Sequence, residues 1–135
     1  MNGFQLTRTD RTRDESTTCL ESASAVASVL SALDDPDCRG ILDATGEEAL
    51  TAREIAEACD LPTSTTYRKL DELTEASLLE ERVRLRRSGK HASEYVRAVD
   101  DVVVTLGEGG LTVRLFEDER ADSAAIAATF RAFAD

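Results

Sequence analysis

Basic side chains of this 135-residue sequence are concentrated between Arg82 and Arg97, where Glu94 is the one acidic residue. The basic residues of this stretch are Arg82, Arg84, Arg86, Arg87, Lys90 and Arg97. Guanidinium and ammonium groups at this density can neutralise phosphates along a nucleic-acid backbone or enter its minor groove. The predicted contacts are Arg84, Arg86, Arg87 and Lys90. A solvated edge hairpin, whose arginines prevent aggregation, is the alternative interpretation.

A second group of polar side chains precedes this stretch, at helical spacing. The residues on one face are Ser64, Tyr67, Arg68 and Asp71, and those on another are Thr66, Leu70 and Leu73. The first face offers hydroxyl and guanidinium groups, and the second is largely apolar. This division predicts a helix with one buried face and one face that can contact a ligand.

The polar face suits the bases and phosphates of double-stranded DNA. Arg68 can make a bidentate contact with guanine in the major groove. Hydroxyl groups that can bond phosphates or base edges belong to Ser64, Thr65 and Tyr67. Thr63 lies where the first N–H groups of a helix can hold a phosphate. The alternative is structural, with Tyr67 packed on the neighbouring hairpin and Arg68 paired with Glu72, four residues on.

The surrounding segments have the order of a winged helix. Thr51 and Glu54 fit a capping box that begins one short helix. A break ending at Pro62 separates it from a second helix, predicted over residues 63–76. Alternating basic and apolar residues and a flexible turn then predict a hairpin over residues 82–99. Two short helices joined by a tight turn and followed by a basic hairpin are typical of a winged helix-turn-helix.

Residues 36–97 resemble the winged-helix transcriptional regulators of archaea, close to the ArsR, TrmB and IclR-like groups. The resemblance rests on the stretch Leu50–Leu70, with the core Ser64-Thr65-Thr66-Tyr67-Arg68-Lys69-Leu70, and on Leu73 and Ala76-Ser77-Leu78-Leu79. It implies an α+β winged helix-turn-helix fold and a regulator that binds double-stranded DNA. The metal-binding cysteine pairs of that family are absent from this sequence, so metal sensing is not implied.

The overall charge is unusual for a protein that binds nucleic acid. The chain has 27 acidic and 16 basic residues, a formal net charge of −11, and only Lys69 and Lys90 are lysines. Such acidity ordinarily argues against phosphate binding. Carboxylates spread along most of the chain, with few lysines, are also typical of a haloarchaeal protein whose acidic surface maintains solubility in concentrated salt.

Several classes of protein are excluded by what the sequence lacks. No apolar run approaches the roughly 20 residues of a membrane span, and no signal-peptide stretch begins the chain, so we expect a cytoplasmic protein. Cys19, Cys38 and Cys59 are too widely spaced for a disulfide scaffold. With His91 as the single histidine, neither a zinc site nor catalysis is expected. We also expect no cofactor.

Additional segments complete a predicted domain over residues 18–135, which a mobile polar arm, residues 1–17, precedes. These segments are an N-terminal helix over 18–33, a hairpin over 102–115 and a C-terminal helix over 123–134. The apolar faces of the two flanking helices are candidate surfaces for a homodimer. Two alternatives remain open: a winged helix that contacts only protein, and a regulator that senses a small molecule in a pocket behind the hairpin.

Cys19 is the candidate for a redox response. Thr18 and Glu21 fit a capping box, which would make Cys19 the first residue of the 18–33 helix. The helix dipole and unpaired N–H groups would then lower the pKa of its thiol and favour oxidation. Cys38 is the second choice. The alternative interpretation of Cys19 is a small apolar residue at the end of an apolar helix face.

Overall fold

The computed structural model of the chain describes residues 17–117, which form an α+β domain. The described helices and strands are β1 (Thr17–Leu20), α1 (Ala23–Asp34), α2 (Pro36–Ala44), β2 (Leu50–Thr51), α3 (Ala52–Cys59), α4 (Thr63–Glu75), β3 (Leu79–Arg84), β4 (Ala92–Arg97), β5 (Val99–Gly107) and β6 (Gly110–Glu117). The strands form two antiparallel sheets, in the orders β2-β4-β3 and β1-β6-β5. The predicted fold class, a winged helix-turn-helix with an additional N-terminal helix and an additional hairpin, is confirmed.

Helices α3 and α4 form the helix-turn-helix, and local signals define the turn between them. The predicted capping box is present: the Glu54 N–H donates to the Thr51 hydroxyl, and the Thr51 N–H donates to the Glu54 carboxylate. Helix α3 ends at Asp60, which adopts the left-handed conformation at φ 57°. Pro62 then precedes α4, where its fixed φ suits the start of a helix. The chain direction therefore changes over only a few residues.

Apolar residues from the helices and from both sheets form one buried cluster. Its fully buried members include Val29 of α1, Ile41 of α2, Ile55 of α3, Leu70 of α4 and Val113 of β6. Burying a side chain of this size stabilises the folded state by about 1.5–3 kcal/mol. Because α4 contributes one face to this cluster, its opposite face is held towards solvent.

Strands β3 and β4 form the wing, and β2 adds a third strand beside β4. The register of the hairpin runs from the pair Leu79 and Arg97 to the pair Arg84 and Ala92. Residues 85–91, which we call the wing loop, connect the two strands. The predicted basic hairpin is therefore confirmed, and the packing of its strands fixes where its loop lies relative to α4.

The second sheet is built on the predicted hairpin over residues 102–115, which is confirmed as strands β5 and β6. Strand β1 pairs with β6, from Thr17 opposite Phe116 to Leu20 opposite Val113. Strand β6 is therefore central, and β5 lies at one edge. This sheet attaches the N-terminal strand of the described chain to its last strand.

The predicted N-terminal helix over residues 18–33 begins too early. Helix α1 starts at Ala23, and the hydroxyl of Ser22 caps it by accepting a hydrogen bond from the first turn. Thr18 and Cys19 lie in β1 instead, so the predicted capping box at Thr18 is wrong. Pairing with β6 is a long-range interaction, and here it outweighs the local capping signal.

The apolar face of α1 is covered within the chain itself. Val26, Val29 and Ala32 are buried where α1 packs on α2, α4 and β6. Of the predicted dimer surface, Val26 is buried, and Leu30 and Leu33 pack partly buried against the core. Most of that surface is therefore used within the chain. The predicted helix over 123–134 lies outside the described residues, and so does the predicted arm over 1–17, except for its last residue.

Candidate nucleic-acid interface

The outward face of α4 carries the polar side chains that the sequence predicted. Its exposed or half-buried residues are Thr63, Ser64, Thr65, Tyr67 and Arg68. The residues of the opposite, buried face are Thr66, Leu70 and Leu73. The Thr66 hydroxyl does not need an external partner, because it donates to the Pro62 carbonyl at 2.9 Å. The division of α4 into two faces is therefore as the spacing predicted.

The structural alternative for this face is not seen in residues 17–117. Tyr67 is 52% exposed rather than packed into the wing. Within the same residues, the Arg68 guanidinium has no carboxylate partner, so the expected pair with Glu72 is not formed. Asp71 is also exposed on this helix. The ring and the guanidinium therefore remain accessible to a ligand.

The N-terminus of α4 presents backbone N–H groups. Pro62 occupies the N-cap position, and no side chain of the described chain caps the helix. The Thr66 N–H is bonded to the Pro62 carbonyl at 2.9 Å, so the helical ladder begins there. The N–H groups of Thr63, Ser64 and Thr65 precede it and lie at the positive end of the helix dipole. That arrangement favours a phosphate.

The wing loop carries the remaining predicted cations. Arg86, Arg87 and Lys90 are exposed, and none of them has an ion pair within the described chain. The loop turns tightly, with the Gly89 N–H donating to the Arg86 carbonyl at 3.0 Å. Gly89 has a φ of 86°, a conformation that glycine adopts at little cost. The three cations are therefore concentrated on a short, solvated loop.

Arg84 does not belong to this exposed group. Its Nε lies 2.6 Å from Oε1 of Glu94, and its Nη1 and Nη2 lie 3.2 and 3.1 Å from the two carboxylate oxygens of Glu54. Nη2 also donates to the Ala49 carbonyl at 3.3 Å. The half-buried guanidinium thus joins the wing to the start of α3. The predicted DNA contact at Arg84 is corrected to a structural role, because these partners occupy its donors.

The ionic network around Arg84 shifts the pKa values of its members. Hydrogen bonds from Arg84 lower the pKa of the Glu54 carboxyl, and burial opposes that shift. Hydrogen bonds to Glu54 and Glu94 raise the pKa of the Arg84 guanidinium. Both groups are therefore held in their charged forms. The sequence did not reveal this network, because Glu94 lies opposite Arg82 in the hairpin and the other partners, Glu54 and Ala49, come from distant segments.

The sequence also did not reveal the role of Lys69, which connects α4 to a neighbouring helix. Its ammonium group contacts the carboxylate of Asp35, the residue that caps α2. The hydrogen bond from Lys69 lowers the pKa of Asp35, and the same bond raises the pKa of Lys69. Lys69 is therefore not a DNA contact. It ties α4 to the first turn of α2.

One group of possible metal ligands lies beside this ion pair. A carboxylate oxygen of Asp35, the Cys38 thiol and a carboxylate oxygen of Glu72 all lie within 4.8 Å of one another. The Lys69 ammonium already neutralises Asp35, and burial raises the pKa of the Cys38 thiol to about 11. The thiol instead donates to the Asp35 carboxylate, at 3.7 Å. These observations favour a structural cluster over a metal centre.

The three cysteines differ in accessibility. Cys19 is exposed in β1, opposite Arg114 of β6, with its Sγ 3.9 Å from Oε2 of Glu21. The helix N-terminus that was predicted to activate it is not present, so that argument for its reactivity is wrong. Cys38, the second choice, is buried. Burial also raises the pKa of Cys59.

A cavity of about 570 Å³ lies where the second sheet meets the wing and the end of α4. Its lining includes Thr18, Thr74, Leu79, Val99, Leu115 and Glu117. The hydroxyl oxygen of Thr74 is buried without a hydrogen-bond partner among the described residues. Of the 102–115 hairpin only Leu115 lines this cavity, and its carboxylates come from Glu80, Glu81 and Glu117. Its volume is in the range of small-molecule sites.

Comparison with known proteins gives one family match and similarity to solved structures. Residues 33–82 match the model of a helix-turn-helix domain family. The chain is similar to NolR from Sinorhizobium fredii, with 24% identity and a TM-score of 0.48 over 58% of this chain and 73% of that one. It is also similar to a possible transcriptional regulator from Methanosarcina mazei, with 15% identity and a TM-score of 0.43 over 59% of this chain and 73% of that one.

No curated protein matches the chain. Among the described residues, no helix is long and apolar enough to cross a membrane. The helix-turn-helix match is therefore the comparison that bears on the site. It contains the whole of α3 and α4 and most of β3.

Proposed function

We propose that this chain is a sequence-specific transcriptional regulator that binds double-stranded DNA. The observation that carries the proposal is the outward polar face of α4, in a domain whose residues 33–82 match a helix-turn-helix family. The wing packs on α4 through β3, and its loop carries three cations without an ion pair among residues 17–117. Helix α4 has 13 residues, which corresponds to a length of about 20 Å. A helix of this size fits the major groove of B-DNA.

The residues of α4 have distinct roles in this proposal. Arg68 makes the bidentate contact with guanine, because its guanidinium is exposed and has no acidic partner in residues 17–117. Ser64, Thr65 and Tyr67 contact base edges or phosphates. Thr63 begins the turn whose open N–H groups hold a phosphate. Base recognition therefore depends most on Arg68.

The wing supplies affinity more than sequence selection. Arg86, Arg87 and Lys90 contact the phosphate backbone or the minor groove, as loop cations commonly do. Arg84 does not contact DNA in this proposal. Its ion pairs with Glu54 and Glu94 hold the wing in position. Since phosphate contacts weaken as salt rises, these loop contacts should be strongly salt-dependent.

The acidity of the chain favours a particular setting for this activity. We place the protein in the cytoplasm of a salt-loving archaeon, among winged-helix regulators related to the ArsR, TrmB and IclR-like groups. In concentrated salt a few cations give little affinity. Two copies that read two half-sites about one helical turn apart would restore it, so the proposed regulator is a homodimer.

Selection from a random duplex library, followed by fluorescence-anisotropy titration in KCl, tests this function. We expect the full chain to enrich one sequence and to bind it on the order of 10³-fold more tightly than a shuffled duplex. Arg68→Ala should weaken that preference. Arg114→Ala is the matched control, because it removes the same charge from β6, which belongs to the second sheet. The absence of any enriched sequence would contradict the proposal.

A redox response remains part of the proposal, and it now rests on accessibility. Cys19 is the exposed thiol, whereas Cys38 is buried and the pKa of its thiol is raised to about 11. Oxidation of Cys19 would act at the pairing of β1 with β6, which joins the second sheet to α1. Peroxide should lower the DNA affinity of the wild type and leave that of Cys19→Ser unchanged. Equal responses of the two proteins would exclude this role.

The cavity beside Thr74 favours a second candidate function, in which a small molecule regulates DNA binding. The cavity touches the C-terminal end of α4 and the base of the wing, so a bound molecule could change the position of either one. Thr74 lines the cavity at the end of α4. Screening metabolites by thermal shift, with Thr74→Val as the comparison, tests this function. A stabilising ligand that acts equally on both proteins would not occupy this cavity.

A further inference from the structure

Exposed apolar side chains at the end of the β5–β6 hairpin continue the buried core. The register places Val104 opposite Val113 and Leu106 opposite Leu111, so the four side chains share one face of the sheet. Val113 is buried, but Val104, Leu106 and Leu111 are 44%, 85% and 39% exposed. This face of the sheet is therefore part of the buried core at one end of the hairpin and exposed to solvent at the other end.

The edge of the same hairpin is open as well. Strand β5 has β6 on one side, and no described strand pairs with its other side. From Val102 to Gly107 the strand has no charged residue and no proline. Natural sheets usually protect an exposed edge with a charge, a proline or a bulge. The one irregularity in β5, between Val99 and Asp101, lies before this uncharged segment.

We propose that this segment pairs with the same segment of a second copy, in antiparallel orientation across a twofold axis. The two three-stranded sheets then form one continuous six-stranded sheet. The exposed faces around Val104, Leu106 and Leu111 of the two copies become neighbours. The inference rests on the proposed homodimer, and it assigns the interface to β5 in place of the buried face of α1.

The sequence and the geometry together favour a second copy over other occupants. Each chain carries a formal net charge of −11, so contact between copies is opposed by repulsion over most of the surface. The segment from Val102 to Gly107 carries no charge, although Asp101 and Glu108 border it, so two copies can pair here without a carboxylate inside the paired stretch. A twofold axis pairs the segment with the same segment of the other copy. The two paired strands therefore have the same length, and neither carries a charge.

The predicted helix over residues 123–134 is the competing occupant. Its apolar stripe of Ile126, Phe130 and Phe133 could cover the exposed face of the hairpin. A helix cannot pair with the N–H and C=O groups along a strand edge, because its own backbone groups are bonded internally. A strand of a second copy pairs with the edge and covers the face at the same time.

This interface is small, which sets the expected strength of association. Three exposed apolar side chains and one short edge from each copy fall at the low end of the areas that stable complexes bury. Association in free solution should therefore be weak and dependent on concentration. Two DNA half-sites would hold two copies close together and strengthen the pairing.

Sedimentation of the full chain without DNA tests the proposal. We expect a reversible monomer–dimer equilibrium, and Leu106→Lys should raise its dissociation constant at least tenfold. The matched control is Val83→Lys, which makes the same change in charge at a side chain that is 63% exposed on the wing. Both changes reduce the net negative charge, so loss of the dimer in Leu106→Lys alone cannot result from added repulsion between the acidic chains. Circular dichroism checks that both variants fold.

Cross-linking gives a second, position-specific measurement. In a Cys19→Ser background, Val104→Cys should cross-link two copies through a short bismaleimide, and Val83→Cys should not. A wild type that stays monomeric at every concentration would overturn the proposal, and so would a dimer that persists in Leu106→Lys. A dimer lost only when residues 118–135 are deleted would assign the interface to the C-terminal segment. Binding of a single half-site duplex, measured separately, shows whether the DNA-binding function itself has failed.

Discussion

The two hairpins of this chain share a topology and differ in what they expose. The β3–β4 hairpin ends in a loop with Arg86, Arg87 and Lys90, whereas the β5–β6 hairpin exposes Leu106 and Leu111 beside a glycine-rich turn. Three of the 16 basic residues lie together on the wing loop. The β5–β6 hairpin instead has an uncharged segment, Val102 to Gly107, along its open edge. The first hairpin suits phosphate, and the second suits protein.

A finer contrast lies within the wing itself. Arg84 and Arg86 are two residues apart in the same basic stretch, yet Arg84 is bonded to Glu54 and Glu94 while Arg86 has no ion pair among the described residues. One arginine fixes the position of the wing, and the other is available to a ligand. Composition alone therefore does not identify a DNA contact, because the neighbours of each side chain decide its role.

The largest expected effect separates the two faces of α4. Leu70→Ala should lower the free energy of unfolding by about 2–5 kcal/mol, because it leaves a cavity at a fully buried position. Tyr67→Ala and Arg68→Ala should leave that free energy nearly unchanged and weaken DNA binding. Urea denaturation and anisotropy measure the two properties. A loss of stability in Arg68→Ala as large as that in Leu70→Ala would show that the faces are wrongly assigned.

The next largest effect is a loss of stability that distinguishes Arg84 from Arg86. Arg84→Ala should cost about 1–2 kcal/mol of stability, since it leaves the carboxylates of Glu54 and Glu94 without their partner at partly exposed positions. Arg86→Ala, the matched control, should cost almost nothing. Equal unfolding midpoints for the two variants would remove the structural role given to Arg84.

The ion pair between Arg84 and Glu54 makes the stability of the fold depend on pH in a defined direction. The pKa of Glu54 is lowered in the folded protein, so its contribution is fully present above the ordinary glutamate value of about 4.3 and is lost as the pH falls through the lowered value. Stability of the wild type should therefore decline below about pH 4.3 in part through Glu54. Denaturation curves of Arg84→Ala over the same range should show a smaller decline.

A smaller effect should appear in the salt dependence of DNA binding. The double variant Arg86→Ala and Arg87→Ala removes two backbone contacts, so the slope of log affinity against log salt should fall in magnitude by about 2. Affinity should weaken for specific and shuffled duplexes alike. A change in the preferred sequence, with an unchanged salt slope, would instead assign these arginines to base recognition.

The smallest effects concern the thiols. Cys19→Ser should change stability by less than about 0.5 kcal/mol, because the side chain is exposed. In the folded wild type, maleimide should label Cys19 quickly and Cys38 only after unfolding, since burial excludes the reagent and raises the pKa of Cys38 to about 11. Mass spectrometry of the labelled peptides measures both rates. Equal labelling of the two thiols would contradict this ranking.

The sequence predicts the helix-turn-helix well because the signals for it are local. The capping box at Thr51, the break before Pro62 and the spacing of Thr66, Leu70 and Leu73 each act over a few residues. The same kind of reasoning failed at Thr18, where a capping pattern is overridden by pairing with β6, almost a hundred residues away along the chain. Local patterns do not report the energy of such distant partners.

Part of the candidate site could be predicted for the same reason. The exposed face of α4 follows from helical spacing, so Arg68 and Tyr67 were placed correctly on it. The role of Arg84 did not follow, because its partners come from the loop before β2, from α3 and from β4. The role of Lys69 likewise depends on Asp35 at the start of α2. Partners of this kind become visible only when the elements are packed together.

A double-mutant cycle between Arg68 and a guanine of the selected duplex tests the central claim most directly. Anisotropy would be measured for the wild type and Arg68→Ala, each with the selected duplex and with duplexes changed at single guanine positions. At one position the wild type should lose about 1–3 kcal/mol of binding free energy, and Arg68→Ala should lose almost none at the same position. If both proteins discriminate equally at every guanine, α4 does not read DNA through Arg68.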